Sequence, residues 1–404
     1  MTPFDMSRKP SKQYFFLMPL IWLAAFIDTR KFGLKIDKTG IKGLKPPYLV
    51  IATHQGPADY SAGPLAMFPH RAIYVSDMEG FENYGKWLYR GLGCIGKRRF
   101  VSDINVVKNI RYALSIGQSV VIYPEARHSN AGITAYIPKN LGKLCKLLNV
   151  PVVIFHLKGA YLANPFWDEA HTRKVPMEGR IYQLFSVDQV RELPKEKIQK
   201  SIEEALQYNE YEYQIEKKIR IDHPRRSRGI NNILYICRKC GTKYAMLSDY
   251  DSLGCLECNS IYTLKENGYL QDIDTNKIYS ISKWYEWERK QEINDLKPRF
   301  KMTFPVTVEA LPNEKGFVYL GDAQLTLNEK EFVLNLATGK IRFPHKIRES
   351  VQTEYNYKGH GKCIVLSTKD CCYYLYNESL GFNPTQLQFI GEYLYQKANG
   401  LLKG

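Results

Sequence analysis

Long apolar runs, a disulfide-dense cysteine pattern and a balanced charge are all missing from this 404-residue chain. The uncharged run Tyr14–Ile27 (YFFLMPLIWLAAFI) is 14 residues long. As a helix it would reach about 21 Å, short of the roughly 30 Å hydrocarbon core of a bilayer. Pro19 interrupts it and no A-x-A site follows, which argues against a signal peptide. Arg8, Lys9 and Lys12 precede it, and Arg30, Lys31 and Lys35 follow. This pattern predicts an interfacial segment with Trp22 at headgroup level and its cations on anionic lipid; an ordinary buried helix is the other reading. Nine cysteines, an odd number, are too few for a disulfide scaffold and fit a reducing intracellular compartment. Acidic residues number 41 against 57 basic ones, a net charge of +16 that favours an anionic partner: a phosphate lipid, a membrane surface or nucleic acid. A hydrophobic content of 44% excludes a mostly disordered chain, and no internal repeat or low-complexity tract is present. The length suits two or three domain-sized cores.

Between about 45 and 190, apolar strands alternate with amphipathic helices. Tyr48–Thr53, Ala72–Ser76, Val120–Tyr123 and Val150–Leu157 read as strands, and Val106–Ile116 and Leu141–Leu148 as helices. The alternation predicts an α/β layer with a mostly parallel sheet flanked by helices, with ligand-binding residues just after the strands. Lys195–Tyr208 is a charged amphipathic helix that closes this region. A basic stretch holding Arg225, Arg226 and Arg228 reads as a linker. Beyond the cysteine-rich part, Thr307–Ala310, Gly316–Leu320, Gln324–Leu327, Glu331–Leu334, Lys362–Ser367 and Cys372–Tyr376 are short strands, followed by the helix Thr385–Ala398.

His54-Gln55-Gly56-Pro57-Ala58-Asp59 follows the first strand directly. A histidine beside a carboxylate makes a general-base pair, the carboxylate fixing the imidazole tautomer; a loop histidine with an N-capping aspartate is the plainer alternative. Gly93–Arg99 is a glycine-flanked turn loaded with cations, Tyr123-Pro124-Glu125-Ala126-Arg127-His128-Ser129 ends another strand, and Val150–Ile154 is an apolar strand with proline. In order and spacing these four blocks resemble those of the glycerolipid acyltransferase family, in particular the bacterial 1-acylglycerol-3-phosphate acyltransferases. Ala126 stands where the family's third block has glycine, Arg127 falls one position early, and the fourth-block proline is displaced to Pro151. The resemblance implies an O-acyltransferase in which His54 takes the proton from an acceptor hydroxyl and Asp59 orients His54. Arg99 and Arg127 would hold the acceptor phosphate. Glu125 would position the hydroxyl or anchor Arg127, and Arg98 would contact substrate or lie in a solvated turn. It implies lysophosphatidate as acceptor, phosphatidate as product, and acyl-ACP or acyl-CoA as co-substrate.

Cys237, Cys240, Cys255 and Cys258 form a C-x2-C-x14-C-x2-C pattern. Four thiolates at this spacing predict a closed, structural Zn²⁺ site that resembles a zinc ribbon. Cys371, Cys372 and His156 read as core residues. The C-terminal strands and helix resemble, in element order, a pleckstrin-homology-like barrel. The expected organisation is an interfacial segment at 1–40, an acyltransferase domain at 41–215, a basic linker at 216–229, a zinc ribbon at 230–275 and a barrel-like β-rich domain with a C-terminal helix at 276–404. The expected partners are an anionic membrane surface at the cytoplasmic face, a lysophospholipid acceptor, and acyl carrier protein or CoA. No nucleic acid is expected, since the ribbon has no interleaved basic and aromatic stripe. The alternatives are another acceptor, such as glycerol 3-phosphate or a different lysolipid, and a non-enzymatic nucleic-acid- or membrane-binding ribbon protein.

Overall fold

The computed structural model describes residues 2–168 and 171–402. Strands β1 (Lys35–Gly40), β2 (Leu49–Ala52), β3 (Ala72–Asp77), β4 (Ile95–Lys97), β5 (Ser119–Ile122), β6 (Val152–Lys158) and β7 (Glu178–Phe185) form one sheet in the order β1-β7-β6-β2-β5-β3-β4. All neighbours run parallel except β6 and β7. Every residue of β2 and β5 is buried, because helices cover both faces of the sheet centre. That two-sided burial is why these strands read as unbroken apolar runs. The flanking helices Ile104–Ser115 and Leu141–Leu148 are closed by their own sequence. Asp103 accepts from the Asn105 amide at the N-terminus of the first, and Asn149 adopts the left-handed conformation after the second.

Three strands differ from the expected pattern: β1, β7, and β4, which falls within the stretch Gly93–Arg99 read as a turn. β1 lies within the segment expected to be interfacial, and pairs with β7 at the sheet edge. The rest of that segment contains the helix Met18–Arg30, which buries only Met18, Ala25 and Thr29. Phe15, Phe16, Leu20, Leu23, Phe26 and Ile27 are exposed, Phe15 at 79%. A plain buried helix is therefore not what forms. Among the described residues no helix is long and apolar enough to cross a membrane.

The stretch read as a linker is packed: Ile219, Ile221 and Ser227 are buried, and Arg226 pairs with Asp251 at 2.8 Å. It leads into a five-stranded antiparallel sheet spanning Met246–Ser280. The last part is a seven-stranded antiparallel sheet capped by the helix Pro384–Ala398. In chain order from Lys301–Leu311 its strands are arranged 4-3-2-1-7-6-5. The expected strands Gly316–Leu320 and Gln324–Leu327 are one strand, Val318–Asn328, bent by a register shift opposite Val308 and Glu309. Leu387, Ile390 and Leu394 of the capping helix pack on the apolar face made by Val308, Leu325 and Leu375.

The C-terminal sheet is joined to the first sheet by buried polar bonds. Glu392 accepts from Arg127 at 3.0 Å, Arg289 at 2.5 Å, Ser350 at 2.6 Å and Gln388 at 3.0 Å. Arg127 and Arg289 hold the Glu392 carboxyl below its ordinary value against the upward push of burial. Arg98 donates to the carbonyls of Lys369, Pro312 and Asp370. Asn130 donates to Gln388 at 2.6 Å. Glu392→Ala leaves two buried guanidinium groups without their carboxylate, so it is expected to lower folding stability by about 3–5 kcal/mol, measured by denaturant unfolding followed at more than one wavelength.

Candidate active site

β2 ends at Ala52, and the chain turns through His54–Ala58 into the helix Asp59–Met67. This turn brings Asp59 back against His54: Asp59 Oδ2 lies 3.0 Å from His54 Nδ1 and accepts from the backbone amides of Gln55 at 2.6 Å and Gly56 at 3.1 Å. The two sequence readings of this pair are therefore not exclusive. Asp59 sits in the first turn of its helix, fixes the loop and orients the imidazole. With Nδ1 donating to Asp59, Nε2 is the nitrogen left to accept a proton.

Three rings surround His54. Tyr123 stacks on it at 4.5 Å between centroids, His128 meets it edge-on at 4.5 Å, and Tyr60 lies at 5.9 Å. Burial pulls the His54 imidazole down to about 3, and the nearby Arg99 charge adds to that pull. Burial raises the Asp59 carboxyl to about 7 against the bonds it accepts. Both effects disfavour charge in the same dry pocket, so the resting His54 is the neutral base.

Glu125 has a different place from either role expected for it. Its Oε1 accepts from the His54 backbone amide at 3.0 Å, while Oε2 accepts from the Ala135 amide at 2.9 Å and the Tyr208 hydroxyl at 2.9 Å. Fully buried, it neither anchors Arg127 nor lines the cavity beside His54. It ties the histidine loop to the loop after β5. Ala126, next to it, has φ of 55°. This left-handed conformation favours glycine, and the alanine methyl costs about 1–2 kcal/mol in the turn.

Of the expected phosphate ligands, only Arg99 lines the cavity at His54. It pairs with Asp77, at the end of β3, and lies 3.8 Å from Glu79. Glu79 in turn accepts from the Tyr374 hydroxyl of the C-terminal sheet. Arg98 and Arg127 do not reach this cavity. Both guanidinium groups are buried in bonds to the C-terminal part, because backbone carbonyls and Glu392 lie on that side of their loops. Asp77 and Glu79 escaped sequence reading, and Tyr123 was read only as part of its block, with no place at the histidine. The position of Asp77 directly after a strand was the only signal, and its partners are distant in sequence.

The cavity has a volume of about 1350 Å³. From His54 it runs along an apolar wall that includes Ile104, Val107, Ile110, Leu141 and Leu144, and it reaches Met18 and Ile21 of the exposed N-terminal helix. Gln352 and Glu354 of the C-terminal sheet also line it.

The four cysteines meet as expected. Their sulfurs all lie within 4.8 Å of one another, with Cys237–Cys258 and Cys240–Cys255 at 3.7 Å. Gly241, with φ of 76°, turns the first knuckle. The cluster can hold a metal ion, and it lies on a separate sheet from His54.

Residues 35–156 match the family model described as Acyltransferase. Two solved structures are similar to parts of the chain. The 1-acyl-sn-glycerophosphate (LPA) acyltransferase PlsC from Thermotoga maritima is 16% identical with a TM-score of 0.39, over 47% of this chain and 77% of that one. SsgB from Streptomyces coelicolor is 11% identical with a TM-score of 0.15, over 26% of this chain and 93% of that one. Among curated proteins, none matches the chain. The region that matches this family model holds His54, Asp59, Arg99 and Glu125.

Proposed function

We propose that the protein transfers a fatty acyl group from an acyl thioester, acyl-ACP or acyl-CoA, to the hydroxyl of a lysoglycerolipid. The family resemblance points to lysophosphatidate as acceptor and phosphatidate as product; glycerol 3-phosphate and other lysolipids are the alternatives. The observation that carries the reading is the His54–Asp59 pair at 3.0 Å beside a cavity with a long apolar wall. His54 Nε2 takes the acceptor hydroxyl proton as the oxygen attacks the thioester carbonyl. The tetrahedral intermediate collapses, the C–S bond breaks and the thiolate leaves. Asp59 steadies the imidazolium during that step, and the wall of apolar side chains accommodates an acyl chain.

The exposed apolar helix Met18–Arg30 supports a peripheral position on an anionic membrane at the cytoplasmic face, with Arg8, Lys9, Lys12 and Lys31 on lipid headgroups. The cavity reaches this helix, which would let a lipid enter without crossing water. Four thiolates in tetrahedral reach fit Zn²⁺, held by Cys237, Cys240, Cys255 and Cys258. With all four ligands from the protein, that ion would stabilise its sheet and take no part in acyl transfer. A nucleic-acid-binding ribbon protein would have no use for the His54 pocket.

His54→Ala is expected to lower kcat by about 10²–10⁴-fold with an unchanged circular dichroism spectrum, in a labelled acyl-transfer assay; near-normal turnover would end the general-base assignment. kcat/KM is expected to fall as the pH drops through about 7, where the His54–Asp59 pair takes up its first proton on the raised Asp59 carboxyl and His54 loses the carboxylate that supports it. Elemental analysis is expected to give one zinc per chain. Chelation should lower the melting temperature through the sheet spanning Met246–Ser280, since metal binding there is linked to folding.

A further inference from the structure

The family resemblance would make Arg99 an anion site, yet its surroundings oppose one. Asp77 pairs with its guanidinium and Glu79 lies 3.8 Å away. Arg99 holds the Asp77 carboxyl low, and burial raises that of Glu79. Whether Glu79 is charged or neutral, the three groups together carry no net positive charge. Tyr374 donates to Glu79 from the C-terminal sheet, so the arrangement is braced from outside the acyltransferase domain.

The rest of the cavity continues the pattern. Among the described residues its lining holds three cationic side chains, Lys97, Arg99 and Lys369, against seven carboxylates. Lys97 faces the Glu349 charge, and Lys369 is adjacent to Asp370. Asp5, Lys369 and Asp370 lie at the exposed rim, which leaves Lys97 and Arg99 against Asp77, Glu79, Asp103, Glu349 and Glu354 further in, within a chain whose net charge is +16. A second observation points to a donor ligand. Gln352, 3% exposed, lines the cavity, and its carbonyl oxygen is buried without a hydrogen-bond partner. Its amide donates to Glu354 at 2.9 Å, so an unfilled acceptor oxygen stands beside a carboxylate. The strand Gln352–Glu354 is held against the third-block loop by Thr353 donating to Asn130 at 3.2 Å, two residues from His128. A dianionic phosphate monoester would meet mostly like charge here, whereas an ammonium group supplies both the positive charge and the N–H donors that these oxygens accept.

We infer that the acceptor is a lysolipid whose headgroup carries an ammonium group, recognised by Gln352 and by carboxyl groups of the cavity lining, Asp77, Glu79 and Glu354 among them. This rests on the acyl-transfer reading above and replaces the bare phosphate acceptor within it.

The test compares three acceptors with the same acyl chain: lysophosphatidylethanolamine, lysophosphatidylglycerol and lysophosphatidate. Each is presented at low density in phosphatidylcholine vesicles to the full zinc-loaded chain, with His54→Ala as the control. The amine-bearing acceptor is expected to exceed lysophosphatidylglycerol by about tenfold or more in kcat/KM, with lysophosphatidate the poorest. The double variant Glu79→Gln, Glu354→Gln is expected to narrow that ratio to about threefold or less, mainly through a raised KM for the amine-bearing acceptor. Lysophosphatidate used as well as, or better than, the ethanolamine lysolipid overturns the inference and leaves acyl transfer standing. Equal use of the two diester lysolipids also overturns it. No His54-dependent transfer to any of the three removes the acyl-transfer reading and this inference with it. The wild-type comparison decides the matter even where the double variant fails to fold.

Discussion

Glu392 receives four hydrogen bonds on one buried carboxylate, and the three parts of the chain meet there. Arg127 comes from the loop after β5, Arg289 from the helix Ile281–Asp295, and Ser350 from the loop before the last three strands. A lone buried carboxylate is costly; one held by two guanidinium groups fixes three segments at once. The loop carrying Arg127 also carries Glu125 and His128, so the histidine pocket and the packing of the C-terminal helix share a single set of constraints.

Within that frame the catalytic geometry is built from carboxylates that bind backbone. Asp59 and Glu125 each accept main-chain amides of the loop at His54–Gly56. The imidazole is thus positioned by its own backbone as well as by its ring partners. Positioning of this kind costs no rearrangement when the reaction begins.

The centre of the first sheet was legible because β2, β5 and β6 are buried on both faces and leave continuous apolar runs. β1 and β7 were not: the edge strand β1 buries no residue fully, and β7 beside it mixes exposed and buried positions in a charged sequence. The helix Ile281–Asp295 also escaped, because its buried face includes Glu288 and Glu292. These glutamates look like solvent-facing residues until Ile236 donates to one and Gln386 to the other. His54, Asp59 and the four cysteines were readable because their partners lie close in sequence or repeat at a fixed spacing. The destinations of Arg98 and Arg127 were not readable. Their partners are more than 200 positions away, in a part of the chain with no motif of its own.

Adjacent residues Arg98 and Arg99 serve opposite sides of one short segment, the first reaching carbonyls of the C-terminal part and the second facing the cavity. β4 just before them is three residues long, and a Cβ at Gly96 would come within 2.9 Å of Phe4. Inserting a residue before Arg98 would turn Arg98 to the cavity and carry Arg99 past it, whereas deleting one would turn Arg99 to the seam and leave Phe100 at the cavity position. Loop-length variation, usually the most forgiving change a surface can undergo, would therefore cost this turn one of its two cation placements.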